Sequence, residues 1–189
     1  MLRRFSLVIC CFLILSGCKK NKQEETQDTD EGSYFSIRMF ARDQFSVFGE
    51  QPFTLEKIVV LNGQRDSSMV HATDVDWAGV LRIFFEADIS DKKFLDRYSF
   101  SVLEDDVTDT RTYLYEAKEE DLFTRSLQIN ADPVNNKIKS IYIETRKKDF
   151  WGSKQQKLFY IPIELIQIQE FQSPLIGSDR NLRIEYRFL

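Results

Sequence analysis

Read for apolar and polar positions, the chain falls into three parts. Residues 5–15 form an apolar run, interrupted only by Ser6, behind Arg3 and Arg4, and Lys19 to Ser33 (KKNKQEETQDTDEGS) holds no aliphatic or aromatic side chain. From Tyr34 the pattern becomes periodic. Tyr34, Ile37, Ala41, Phe45 and Phe48 lie 3, 4, 4 and 3 residues apart, the stripe of a helix with one buried face. Ser33 is placed to cap it and Gly49 to end it, with Arg38, Arg42 and Asp43 on the other side. Phe53, Leu55, Val59 and Leu61 then alternate with Thr54, Glu56 and Ile58, up to an Asn62-Gly63 hairpin turn and a return strand over 66–72. A second helix is predicted from Trp77, Val80, Leu81 and Phe84 on one face. Thr73, Asp74 or Asp76 would cap it, it would end near Asp88, and residues 92–95 would add a turn.

Beyond Arg97 the pattern predicts only strands, over 97–104, 110–117, 122–131, 137–147, 155–171 and 181–189. Their joints are turn-rich: Asp105-Asp106, Asp132 to Asn136, Trp151-Gly152-Ser153, and Pro174 to Asn181. Such short connections make an antiparallel meander. Within 155–171 the phase changes, since Phe159, Ile161, Ile163 and Leu165 share one face and Ile166 and Ile168 follow on the other. A bulge or bend explains this, with Pro162 at that bulge or on an edge strand. The order predicts an α+β domain over residues 34–189: two amphipathic helices on one face of a curved, mostly antiparallel sheet of about eight strands, able to close into a half-barrel.

The first eighteen residues are a signal. Two arginines, an apolar run too short to span a bilayer, and small residues before a cysteine follow the logic of a secretory leader. Leu15-Ser16-Gly17-Cys18 matches the bacterial lipobox, so the chain resembles a bacterial lipoprotein precursor. That resemblance implies removal of residues 1–17, lipid on the Cys18 sulfur, an acylated amino group, and residence in the cell envelope, at the outer membrane. Two or more acyl chains anchor a protein stably where one does not. Residues 18–33 would be the lipidated cysteine and a polar tether, and fifteen such tether residues have a root-mean-square span of roughly 20 Å. Its acids begin only at Glu24, so the tether resembles a surface-export signal loosely and a periplasmic spacer equally well. The stretches 51–58, 137–145 and 165–171 (QPFTLEKI, KIKSIYIET and LIQIQEF) also resemble small uncharacterised lipoproteins of Gram-negative bacteria, a likeness that implies the class and no activity.

Cysteine use and charge narrow the chemistry. Cys10 and Cys11 lie in the removable segment and Cys18 would carry lipid, so the domain has no thiol for a disulfide, a metal or a nucleophile. Without residues 1–17, 172 residues remain with 24 basic and 30 acidic side chains, a net charge of −6. A mildly acidic chain with no basic tract is a poor nucleic-acid binder. Sixteen Phe, seven Tyr and two Trp are enough to build a deep core without cross-links.

No catalytic constellation stands out. His71 is the one histidine, near Ser67 and Ser68, and a strand histidine of no special role is the simpler reading. Without a second imidazole or any thiol, no zinc or copper site is expected, and no cofactor-binding motif is present. Acids cluster at Glu104-Asp105-Asp106 with Asp109, at Glu119-Glu120-Asp121, and at Asp74 with Asp76. Paired carboxylates serve glycosidases and oxygen-rich loops bind calcium, but these acids fall where turns and helix starts use them. The candidate contact surface is a hairpin end: Lys147, Lys148, Phe150 and Trp151, followed by Lys154 and Lys157. It would stack on sugar or dip into a membrane surface if exposed, whereas the simpler expectation folds Trp151 back on the sheet.

The expected protein is therefore a non-enzymatic lipoprotein held to the membrane through Cys18, whose domain binds an apolar ligand or an envelope protein. The alternatives are a structural subunit of an envelope assembly and a glycan hydrolase using two of the acids.

Overall fold

The structure, a computed structural model, describes residues 34–48 and 51–189. The signal segment, Cys18, the polar residues 19–33 with their Ser33 cap, and Gly49 lie outside the described residues, as does the side chain of Phe45. Helix α1 spans Ile37–Phe48 and α2 spans Trp77–Glu86, with short 3₁₀ turns at Ala72–Asp74 and Lys92–Phe94. The helix starts are chemically explicit. Ser36 Oγ accepts the Met39 amide at 3.2 Å, and its hydroxyl donates to Asp88 Oδ2 at 2.9 Å. The Arg38 amide donates to the same oxygen at 2.6 Å, so a carboxylate just past α2 satisfies the free amides of α1 and ties the helices together. For α2, of the three candidate caps, Asp76 takes the role and accepts the Gly79 amide at 3.0 Å.

There are nine strands, two in the hairpin between the helices and seven after α2: β1 (Thr54–Leu61), β2 (Gln64–His71), β3 (Tyr98–Asp105), β4 (Thr110–Ala117), β5 (Thr124–Ala131), β6 (Ile138–Asp149), β7 (Gly152–Ile161), β8 (Leu165–Pro174) and β9 (Arg180–Phe188). They form one sheet in the order β2-β1-β9-β8-β7-β6-β5-β4-β3, with every neighbouring pair antiparallel. The meander β3 to β9 is extended by the β1–β2 hairpin, which pairs through β1 with β9.

The expected count of about eight strands is corrected to nine. The stretch 155–171 is two strands joined by a turn at Pro162, Ile163 and Glu164, where Ile161 pairs with Leu165. Pro162 sits in this turn, on neither an edge nor a bulge, and Ile163 takes φ 54°. A β-branched residue in the left-handed region is rare, so the turn has no glycine or asparagine to announce it. The change of phase marks the crossing of that turn.

Alternation along the strands builds the core. Tyr115, Leu127, Ile143, Leu158, Ile168 and Ile184 are successive cross-strand partners in one row. Tyr113, Ile129, Ile141, Tyr160, Ile166 and Tyr186 form the next row on the same face. The helices place rings against these rows and the adjoining end of β9: Phe40 and Phe84 meet Tyr160, while Phe48 and Trp77 meet Phe188, at centroid separations of 5.1 to 6.4 Å. Each such aromatic pair adds roughly 0.5–1.5 kcal/mol beyond the area it buries. The opposite face is amphipathic. There Glu185 is buried beside Ile58 and held between Arg187 at 2.8 Å and Arg183 at 3.1 Å, so its charge is compensated.

Candidate contact surface at the hairpin tips

The strands β6, β7 and β8 overhang their neighbours. The Arg146 amide donates to Phe123 O at 2.7 Å, and beyond that bond β6 loses its partner on the β5 side and runs on to Asp149. Asp149 pairs with Gly152, leaving Phe150 and Trp151 as a two-residue loop. The Asp149 carboxylate accepts the Trp151 amide at 2.9 Å and holds the turn. The Leu175 amide donates to Trp151 O at 2.7 Å, which ties the β6–β7 tip to the β8–β9 tip. Gly152 makes this contact possible. It takes φ 145°, and a Cβ there would collide with Ser173 O and lie 2.8 Å from Pro174 Cα.

The joined tips expose Phe150 (77 %), Trp151 (74 %), Leu175 (64 %) and Ile176 (87 %). The expectation that Trp151 folds back on the sheet is therefore corrected. Its strand has already run past the helix-covered rows, and the ring rests edge-on against Phe150 at 5.4 Å. Beside it lies a shallow open groove of about 270 Å³ lined by Lys147, Asp149, Lys154 and Gln172. Lys147 and Lys154 are direct cross-strand partners, an opposition of like charges that costs stability. Lys154 is drawn off by Glu170 at 2.6 Å. Among the described residues no carboxylate lies within ion-pair distance of Lys147 or Lys148. The sequence pattern placed Phe150, Trp151 and the lysines here but missed Leu175 and Ile176. Their signal was an apolar pair inside a Pro/Gly/Ser/Asp turn, where geometry asks for no apolar residue.

The other candidates disperse. His71 ends β2 exposed, and Ser67 stands four residues, about 13 Å, along the same strand. Asp105 holds the β3–β4 turn, and the Thr108 hydroxyl and Val107 amide keep its carboxyl below the usual range. Glu104 pairs with Arg111 at 2.8 Å. Glu119 takes two bonds from Arg97 at 3.1 and 2.6 Å, which lower its carboxyl, and Asp121 lies 3.6 Å from the same guanidinium. Among the described residues no three His, Cys, Asp or Glu side chains converge on a metal position, and no helix is long and apolar enough to cross a membrane. Compared with models of protein families, with curated proteins and with solved structures, the chain matches none of them.

Proposed function

We propose that this chain is a lipid-anchored envelope lipoprotein with a non-catalytic domain that binds through its surface, chiefly at the joined hairpin tips. The observation that carries the reading is the contiguous exposed cluster of Phe150, Trp151, Leu175 and Ile176 beside unpaired lysines, since apolar side chains grouped at one place are characteristic of contact sites. Between helices and sheet, the rings of Phe40, Phe48, Trp77, Phe84, Tyr160 and Phe188 are in mutual contact. That filling favours surface binding over carriage of an apolar ligand inside.

The same packing supports an open half-barrel. Nine strands laid flat would be about 38 Å across, whereas the helices of 12 and 10 residues are only about 18 and 15 Å long. Yet residues from Tyr98 on β3 to Leu55 on β1 join one core with them. A sheet curved around the helices reconciles these lengths and leaves β2 and β3 as free edges.

The anchor is the part most directly tested. Cys18→Ala should leave the precursor unprocessed or release the chain from the membrane fraction, as read by gel mobility and fractionation. Processing and fractionation identical to wild type would sink the anchor. Native mass spectrometry should find no lipid enclosed in the folded domain; a stoichiometric enclosed lipid would turn the reading toward a carrier.

A further inference from the structure

We infer that the joined tips of the β6–β7 and β8–β9 hairpins seat in the headgroup region of an anionic lipid bilayer, giving the domain a second membrane contact and a fixed orientation. The inference rests on the anchored-lipoprotein reading and names the partner of that same surface.

Grouping distinguishes the tips from the rest of the surface. At the opposite end of the sheet, Val107 and Val134 are exposed singly, each in its own polar turn, which is ordinary for a soluble surface. Among the described residues, the tips bring four large exposed apolar residues to one place, two of them aromatic, with lysines at the base. An amphipathic ring at the headgroup level with a lysine stem reaching back to phosphate is the usual composition of an interfacial anchor. A protein-binding hot spot has a different signature, because its core is depleted in lysine.

Charge points the same way. Arg146, Lys147, Lys148, Lys154 and Arg180 stand at the joined tips of a chain whose net charge is −4, against Asp149, Asp179 and the Glu170 that pairs with Lys154. Lys147 faces Lys154 across the strands without a carboxylate of its own, and lipid phosphate would relieve that repulsion. The acidic run Glu119 to Asp121 turns at the same end of the sheet but stops short of the overhang, with Arg97 paired to two of its acids.

Topology puts Tyr34, the first described residue, at the end of the sheet that carries the tips. Tyr34, where the described chain begins, packs on Tyr98 and Tyr115 at 6.0 and 5.3 Å and donates its hydroxyl to Tyr98 O. Tyr98 opens β3 and Ala117, its partner, closes β4, so both lie at the sheet end from which the tips project. Tyr115 shares a row with Ile143, and from there to Phe150 the hairpin advances seven residues, about 23 Å. Sixteen peptide steps separate Cys18 from Tyr34 and reach at most about 55 Å. An acylated Cys18 and the exposed rings can therefore meet one bilayer plane together.

The test uses the full chain extracted from membranes. It is reconstituted into vesicles of phosphatidylethanolamine and anionic phosphatidylglycerol with brominated acyl chains, which quench indole on contact. Trp77 is buried and supplies the background, measured with Trp151→Phe. The expected result is a blue-shifted, quenched Trp151 component that Trp151→Phe abolishes. Lys147→Gln with Lys148→Gln should reduce it, shifting the seated equilibrium about fivefold per lysine. The mass of the same preparation reports whether Cys18 carries lipid. A vesicle-bound chain whose Trp151 stays water-exposed and unquenched overturns the inference and leaves the anchor standing, with the tip then free for a protein partner. Quenching on a chain without lipid upholds the tip and sinks the anchor. A chain that does not associate with vesicles at all overturns both.

Discussion

The two tryptophans of this chain occupy opposite environments within one domain. Trp77 is 3 % exposed; its indole N–H donates to Ala72 O at 2.7 Å, and its ring meets Phe48, Tyr186 and Phe188. Trp151 is 74 % exposed and, among the described residues, has a single ring neighbour, Phe150. The difference teaches where the domain uses aromatic surface for its own stability and where it leaves that surface for something else. Along β6 the switch occurs within a few residues: Ile141, Ile143 and Thr145 are buried in alternation, then residues 146–149 are all exposed. A side chain worth about 1.5–3 kcal/mol when fully buried contributes little of that at the tip.

The contrast is broken most directly at the buried ring. Trp77→Ala should cost about 3–5 kcal/mol, through a cavity beneath α2 and the loss of one of the two hydrogen bonds to the Ala72 carbonyl, which keeps the Val75 amide. Chemical denaturation monitored by far-ultraviolet circular dichroism checks it. Against the total of about 5–15 kcal/mol typical of such domains, that loss brings the fold near its limit. A change under about 1 kcal/mol would mean that α2 is peripheral to the core.

Gly152→Ala should cost less, about 1–3 kcal/mol, because the strain falls at the end of two strands that can fray. The added Cβ would collide with backbone atoms of Ser173 and Pro174, which cannot rotate away. The local readout is hydrogen exchange at the Leu175 amide, whose bond to Trp151 O should lose protection while the rows under the helices keep theirs. Protection unchanged at Leu175 would show that the two tips are not joined in solution.

Titration separates interior from surface in a third way. Burial pushes the Tyr98 phenol up to about 12, its hydroxyl donating to Thr124 O at 2.8 Å. Burial raises Tyr160 as well. Because the folded value of Tyr98 exceeds the free value of 10.0, its contribution is complete below pH 10 and is lost as pH rises from 10 to about 12. The surface acids behave oppositely. Amides of Asn135 and Val134 hold the Asp132 carboxyl below 3.8, as the Thr108 hydroxyl and Val107 amide do for Asp105, so their contribution exists above that pH and fades below it. Both acids are fully exposed, so the acid loss should be the shallower one. Denaturation midpoints at neutral, strongly alkaline and strongly acid pH measure the three states; an acid loss larger than the alkaline one would contradict this assignment.

Much of this was legible in the sequence, for particular reasons. The Asn62-Gly63 turn and the strands β4 to β6 are local signals that appear where local chemistry places them, and Asp76 was one of three candidate caps. The β7–β8 turn was illegible because Ile163 occupies a conformation its side chain disfavours, held by the pairing of the strands on both sides. The role of Asp88 was hidden because it depends on residues about fifty positions apart meeting at two helix ends. At the tip, Phe150, Trp151 and the lysines could be read as candidates, but their exposure depended on how far β6 to β8 overhang β5, which no local pattern encodes. Leu175 and Ile176 joined them only through the bond between the tips.

The smallest effect expected is also the sharpest. Trp151→Ala should change unfolding free energy by no more than about 0.5 kcal/mol, since surface substitutions away from caps and packed groups stay in that range. The turn itself survives the change, because Asp149 accepts the Trp151 main-chain amide and Leu175 donates to the Trp151 main-chain carbonyl, neither of which involves the ring. A loss of 2 kcal/mol or more, about the value of a buried aromatic side chain, would mean that the ring packs on the domain in solution and is not held out. A negligible change, set beside the large one at Trp77, would leave the indole at position 151 without a role in folding. The ring at position 151 would then be separable from the fold, its exposure set by the main-chain bonds of the tip and not by packing of its own.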